Sequence, residues 1–232
     1  MRIETFDSAE AVAERTAEVI AQATRDAHGR RDRAVLAFSG GSTPAPMLRL
    51  LGAMDLNWNA THIVQVDERV APRGHPDRNW TMIAENLLAT APIPESNRHP
   101  MPVTDNDLEA AADHYAALLT TLCGAPPAAD VVHLGIGPDG HTASLVPDDP
   151  VLNVRHRWIA LTGSRYQGRE RMTFTYPTIN AGRLLVWQVT GADKADALRE
   201  GLQGTDVPAS KVRRDDVWVV ATHDAAARLN DD

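Results

Sequence analysis

The sequence predicts an α/β fold: an open, mostly parallel sheet with helices on both faces, a Rossmann-like three-layer core that leaves room for a small extra sheet. Two observations carry this expectation. Apolar runs of strand length, rich in Val, Ile and Leu, recur along the chain and alternate with segments of helical spacing. Three of those runs, 33–38, 63–66 and 131–134, end in polar or glycine-rich turns, as parallel strands do where they line a ligand crevice. The 232 residues are expected to form one domain, 1–232, large enough to need no staple.

Composition narrows the function classes. Net charge is -8, with acidic and basic residues interspersed, so no basic stripe exists to neutralise a nucleic-acid backbone. An anionic substrate must therefore be held by a local cluster of donors against an unfavourable overall field. Cys123 is the single cysteine, which rules out an internal disulfide and a cysteine metal cluster. The first residues, from Met1 to Asp7, contain no apolar segment of signal-peptide length, and no run is long enough to span a membrane. A soluble, cytoplasmic protein is expected, monomeric or a small homo-oligomer.

Taken in order, 8–27 has helical spacing, with Ser8 as N-cap and Gly29 as stop. The strand 33–38 then runs into Ser39-Gly40-Gly41-Ser42-Thr43-Pro44, and a helix follows with proline in its first turn. Strand, glycine-rich turn and helix N-terminus form a phosphate-binding layout. The amides of the first turn are free, and the hydroxyls of Ser39, Ser42 and Thr43 add donors. Strand 63–66 ends in Asp67-Glu68-Arg69, read as a polar strand end facing the crevice. Asp77, Asn79 and Thr81 lead into a helix through Leu88, and a helix is expected over 105–122 with Asp105 at its start and Gly124 as stop. Strands are expected at 158–161, 169–176, 183–191 and 217–220, and helices at 193–202 and 225–229. Lys194, one of only two lysines, falls at a strand-to-helix turn.

The stretch 131–145 carries the chemistry: a buried strand breaks into Gly135, Gly137, Asp139 and Gly140 and delivers His141 to an expected helix start. Its glycines satisfy G-x-G-x-x-G, but Pro147-Asp148-Asp149-Pro150 interrupts where a dinucleotide site needs a long helix, and the next strand ends in Thr162-Gly163 rather than an acid. A serine-esterase reading also exists, because Gly40-Gly41-Ser42-Thr43-Pro44 approaches a nucleophile elbow and Ser42, Asp67 and His141 follow in hydrolase order. Pro44 stands where that elbow needs glycine. A histidine, whose ordinary pKa is near 6.5, suits a general base working near neutral pH. The nine histidines show no paired ligand spacing, so neither a metal nor another cofactor is expected.

With these pieces placed, the chain resembles the glucosamine-6-phosphate isomerase/6-phosphogluconolactonase family. The likeness rests on Ser39 to Pro44, Asp67-Glu68-Arg69, Asn79, 134–145, Arg171-Met172-Thr173, and Gly191 with Lys194, all in order. It implies a small-molecule sugar-phosphate substrate and hydrolysis of 6-phosphoglucono-δ-lactone to 6-phosphogluconate. On this chain it implies a phosphate end built from Ser39, Gly40, Gly41, Ser42, Thr43, Arg171 and Lys194. His141 and Asp67 are then the catalytic residues at the lactone end, with Arg69 also in the site. The deaminases of the family resemble the chain in the D-G-H core but carry a Glu seven residues past its Asp, where this chain has Val146. A deaminase/isomerase-like enzyme remains the alternative reading. A non-catalytic sugar-phosphate sensor is a second one, though it would have no use for His141.

Overall fold

The computed structural model describes residues 1–204 and 206–229. Its main sheet is built from strands β1 (Arg2–Phe6), β2 (Ala34–Phe38), β3 (Thr61–Gln65), β5 (Arg98–His99), β6 (Val131–Leu134), β9 (Leu184–Val189) and β10 (Val217–Thr222). A smaller sheet holds β4 (Asp67–Arg69), β7 (Ile159–Leu161) and β8 (Arg171–Phe174). The α-helices are α1 (Ala9–Arg30), α2 (Pro44–Gly52), α3 (Asn79–Ile83), α4 (Leu108–Cys123), α5 (Tyr176–Ala181) and α6 (Ala195–Gln203). Strand order in the main sheet is β1-β10-β9-β6-β2-β3-β5, and every pairing is parallel. The small sheet, β4-β8-β7, is antiparallel.

The central strands are mainly apolar because both faces of the sheet are buried there. Successive side chains of β2 alternate between them: Leu36 and Phe38 join the layer under α1 and α2, while Val35 and Ala37 join the opposite layer with α4 and the small sheet. Val186 on β9 goes with the first layer, and Leu185, Trp187 and Val189 with the second. Truncating fully buried Leu36 to Ala would cost about 2–5 kcal/mol.

The chain leaves β2 toward β3 on one side, and β6 returns to the other side of β2. That reversal is a topological switch point, where carboxyl-end loops diverge and leave a crevice. The loops after β2 and β6 are the two glycine-rich stretches.

Several boundaries differ from the sequence expectation. Helix α1 runs through Gly29 to Arg30, and the Arg31 amide closes it on Ala27 O at 2.8 Å. A glycine in the final turn weakens a helix by only about 1 kcal/mol, so it need not end one. Asp107, not Asp105, caps α4 by accepting from the Ala110 amide at 3.0 Å. No helix follows His141: Thr142 and Leu145 close a tight reciprocal turn instead. The expected helix at 225–229 is a series of turns. Asp67-Glu68-Arg69 is not a turn but β4 itself. Among the described residues, no helix is long and apolar enough to cross a membrane.

Candidate active site

The crevice at the switch point is a cleft of about 370 Å³, and every residue expected in the site lines it: Ser39, Gly40, Gly41, Ser42, Thr43, Asp67, Arg69, His141, Arg171 and Lys194. Residues from five strand ends and loops thus converge.

One end is cationic. The loop after β2 turns into the N-terminus of α2, where Pro44 occupies the first helical position and Thr43 makes no side-chain cap. The free first-turn amides expected here are absent, because Pro44 and Pro46 carry no N–H and the Ala45 amide donates to Ser42 O at 3.3 Å; the hydroxyls of Ser42 and Thr43 are the donors that the helix start brings to the cleft. Gly40 is required by close approach, since a Cβ there would lie 1.8 Å from Asn79 Oδ1. Ser39 departs from expectation: its hydroxyl donates to His133 O at 2.9 Å, so its proton fastens the loop to β6 instead of reaching a ligand. Arg171, only 3% exposed, donates from Nη2 to Tyr166 O at 3.2 Å and Gln167 Oε1 at 3.1 Å, while its buried Nε has no partner among the described residues. Burial lowers its guanidinium pKa, and Asp67 opposes that shift. A buried cation with a spare donor is an anion-binding group. Arg69 likewise keeps a buried, unpartnered Nε, while Nη1 donates to Asp77 O at 2.8 Å. Lys194 Nζ lies 2.5 Å from Asp193 Oδ2 at the entry to α6.

The other end holds His141. Its Nδ1 donates to Asp139 Oδ1 at 2.6 Å, and its backbone amide meets the same oxygen at 3.2 Å. This leaves Nε2 as the ring nitrogen without a protein partner among the described residues. Gly137 accommodates the ring, since a Cβ would stand 2.0 Å from His141 Nδ1. The turn is closed by Gly137 N to His141 O and Gly140 N to Gly137 O, each 2.9 Å. Burial raises the Asp139 pKa, but the hydrogen bonds and charge of His141 and the Tyr166 hydroxyl outweigh it and hold the carboxyl below its usual range. An anchored carboxylate behind a histidine fixes its tautomer and orientation, the arrangement used wherever an imidazole accepts a proton.

Asp67 joins the two ends. Its carboxylate accepts from Ser144 Oγ at 2.6 Å and Asn79 Nδ2 at 3.1 Å. Glu68 points away, fully buried, and takes five donors: the amides of Arg69, Asn79 and Trp80, Gln65 Nε2 and Arg78 Nε. His133 is packed inside the sheet, donating to Gln188 Oε1 at 3.1 Å, with its pKa pushed down to about 4 by burial. Its place is structural. The sequence reading has Asp139 two residues before His141 but does not assign it as the partner of the imidazole. It also misses Tyr166, which no local pattern marks.

Comparison with known proteins bears on this constellation. A 6-phosphogluconolactonase of Synechocystis sp. is 42% identical over 174 residues, covering 73% of this chain and 72% of that protein. One from Nostoc sp. is 38% identical over 202 residues, covering 85% and 83%. The crystal structure of 6-phosphogluconolactonase from Thermotoga maritima superposes with a TM-score of 0.85 at 26% identity, covering 95% of this chain and 98% of that one. The family model described as glucosamine-6-phosphate isomerases/6-phosphogluconolactonase matches residues 7–221, and the chain belongs to that family.

Proposed function

We propose that this chain hydrolyses 6-phosphoglucono-δ-lactone to 6-phosphogluconate, a step of the oxidative pentose phosphate pathway, with His141 as general base. One observation carries the reading: His141, tethered through Nδ1 to Asp139, presents Nε2 to a cleft that also holds Arg171 with an unused buried donor. Such a cleft matches a substrate that is an activated ester at one end and a phosphate dianion at the other. The two relatives named 6-phosphogluconolactonase support the same substrate.

In this reading Arg171, Lys194 and the Ser39–Thr43 loop hold the phosphate, which fixes the lactone carbonyl near His141. His141 Nε2 takes a proton from water as the water oxygen bonds to C1. The C1–ring oxygen bond then breaks, and the same proton passes to the departing ring oxygen, leaving the open-chain acid. Asp139 stabilises the transient imidazolium. Asp67 holds Asn79 and Ser144 in place along the sugar. Val146 is apolar and buried, so this position offers no carboxylate for the ring opening that a deaminase performs. The acidic overall charge and the interspersed basic residues fit a small-molecule substrate rather than a nucleic-acid partner.

The test is hydrolysis of freshly made lactone, corrected for its spontaneous opening, beside turnover of glucosamine 6-phosphate. The lactone is expected to be the faster substrate by orders of magnitude. Ser42→Ala is expected to raise KM with little change in kcat, and a serine-directed phosphonate to leave Ser42 unlabelled. Faster turnover of glucosamine 6-phosphate would assign the deaminase activity instead, and labelling of Ser42 would replace water with a serine nucleophile.

A further inference from the structure

Tyr166 lies outside every motif of the cleft yet touches both of its ends. It sits at the turn of the β7–β8 loop, where Tyr166 and Arg169 pair across Gln167 and Gly168, both in the left-handed region. Its hydroxyl donates to Asp139 Oδ2 at 2.9 Å and lies 3.3 Å from His141 Nδ1. Its ring meets the imidazole edge-to-face, with centroids 5.2 Å apart. The opposite relation is to the phosphate end: the Arg171 guanidinium stands 4.9 Å from the ring centroid, and Arg171 Nη2 donates to the Tyr166 carbonyl.

We propose that Tyr166 is a positioning residue that orients the Asp139 carboxylate toward His141 and links that pair to Arg171. The proposal rests on the reading of His141 as base. A carboxylate held only by His141 is free to rotate about its Cβ–Cγ bond; a second donor on Oδ2 removes that freedom and keeps Oδ1 in line with Nδ1. The same bond draws electron density from the carboxylate and so weakens its pull on the Nδ1 proton. Burial and the neighbouring Asp139 raise the phenol pKa, so Tyr166 remains a donor through neutral pH. The other charged groups facing this part of the cleft are Asp67, Arg69, Arg171 and Lys194, and a Tyr166→Phe substitution leaves all of them in place.

Tyr166→Phe separates the hydroxyl from the ring. It is expected to lower kcat about tenfold at unchanged KM, the size of one charge-assisted hydrogen bond lost at the reacting centre. It is also expected to move the acid limb of the pH profile, and the His141 titration followed by NMR, upward by roughly half a unit to one unit. Tyr166→Ala also removes the surface under Arg171, so KM is expected to rise as well. Unchanged kcat and titration in Tyr166→Phe would overturn the proposal. So would equal losses of thermal stability in the two variants with no titration shift, which is the behaviour of a packing residue. If the wild-type protein leaves the lactone untouched, the lactonase reading fails, and the NMR titration still decides the role of Tyr166.

Discussion

Gly137 sets the position of the His141 imidazole more strictly than any polar contact does. A hydrogen bond to Asp139 can lengthen slightly, whereas a methyl group 2.0 Å from Nδ1 cannot be tolerated and the ring must leave. Gly137→Ala is therefore expected to keep the fold, since the turn is closed by backbone bonds, and to lower kcat about 100-fold, the order of loss expected from a displacement near 1 Å. Steady-state kinetics beside a circular dichroism melt checks this; an unimpaired kcat would mean that the imidazole has another place to work from. The glycines of this stretch fit a dinucleotide pattern in isolation. The structure gives Gly137 a different use, as space for a histidine.

At the scale of elements, what could be read from the chain depended on whether the burying partner was near or far. Strands β2, β3, β6 and β9 are buried on both faces, and their mainly apolar runs, interrupted only by Thr61, His62, Gln65, His133 and Gln188, announce it. The polar loops that follow β2, β3 and β6 were legible for the same reason, because the end of such a run is sharp. Strand β1, Arg-Ile-Glu-Thr-Phe, lies on a half-exposed edge and breaks alternation at Glu4-Thr5, and β5 is two residues long, so neither leaves a pattern. Strand β4 is the instructive case. Asp67-Glu68-Arg69 has the composition of a solvated turn, yet Glu68 is fully buried because Arg78 and three backbone amides, two of them opening α3, satisfy its carboxylate. Alternation then points Asp67 and Arg69 at the cleft. Arg78 and the amides of Asn79 and Trp80 lie ten to twelve residues away and become neighbours only through the fold. Tyr166 was hidden in the same way: its partner Asp139 is 27 residues distant and on another loop.

The whole molecule places a histidine, His133, in the middle of its sheet in neutral form, with a second, His99, half-buried at the sheet edge. Burial pushes the pKa of each down to about 4. The unfolded chain binds protons at these sites below its ordinary value near 6.5, whereas the folded chain does not until about pH 4. Stability is thus fully present above pH 6.5 and falls as pH drops toward 4. The lowered carboxyls, Asp139 among them, act in the same direction but only at still lower pH. The urea midpoint is expected to decline between pH 7 and pH 5, and His133→Gln to flatten that slope; a midpoint independent of pH over this range would show that these histidines are not held neutral. The sheet that buries His133 is also the device that brings two glycine-rich loops together at its switch point, so that Arg171 and His141 line one cleft. The central claim is that His141 activates the water. It is tested most directly by the saturating turnover rate of His141→Ala on fresh lactone: a loss of about 100- to 10,000-fold with KM little changed is predicted, and a turnover equal to wild type would contradict it.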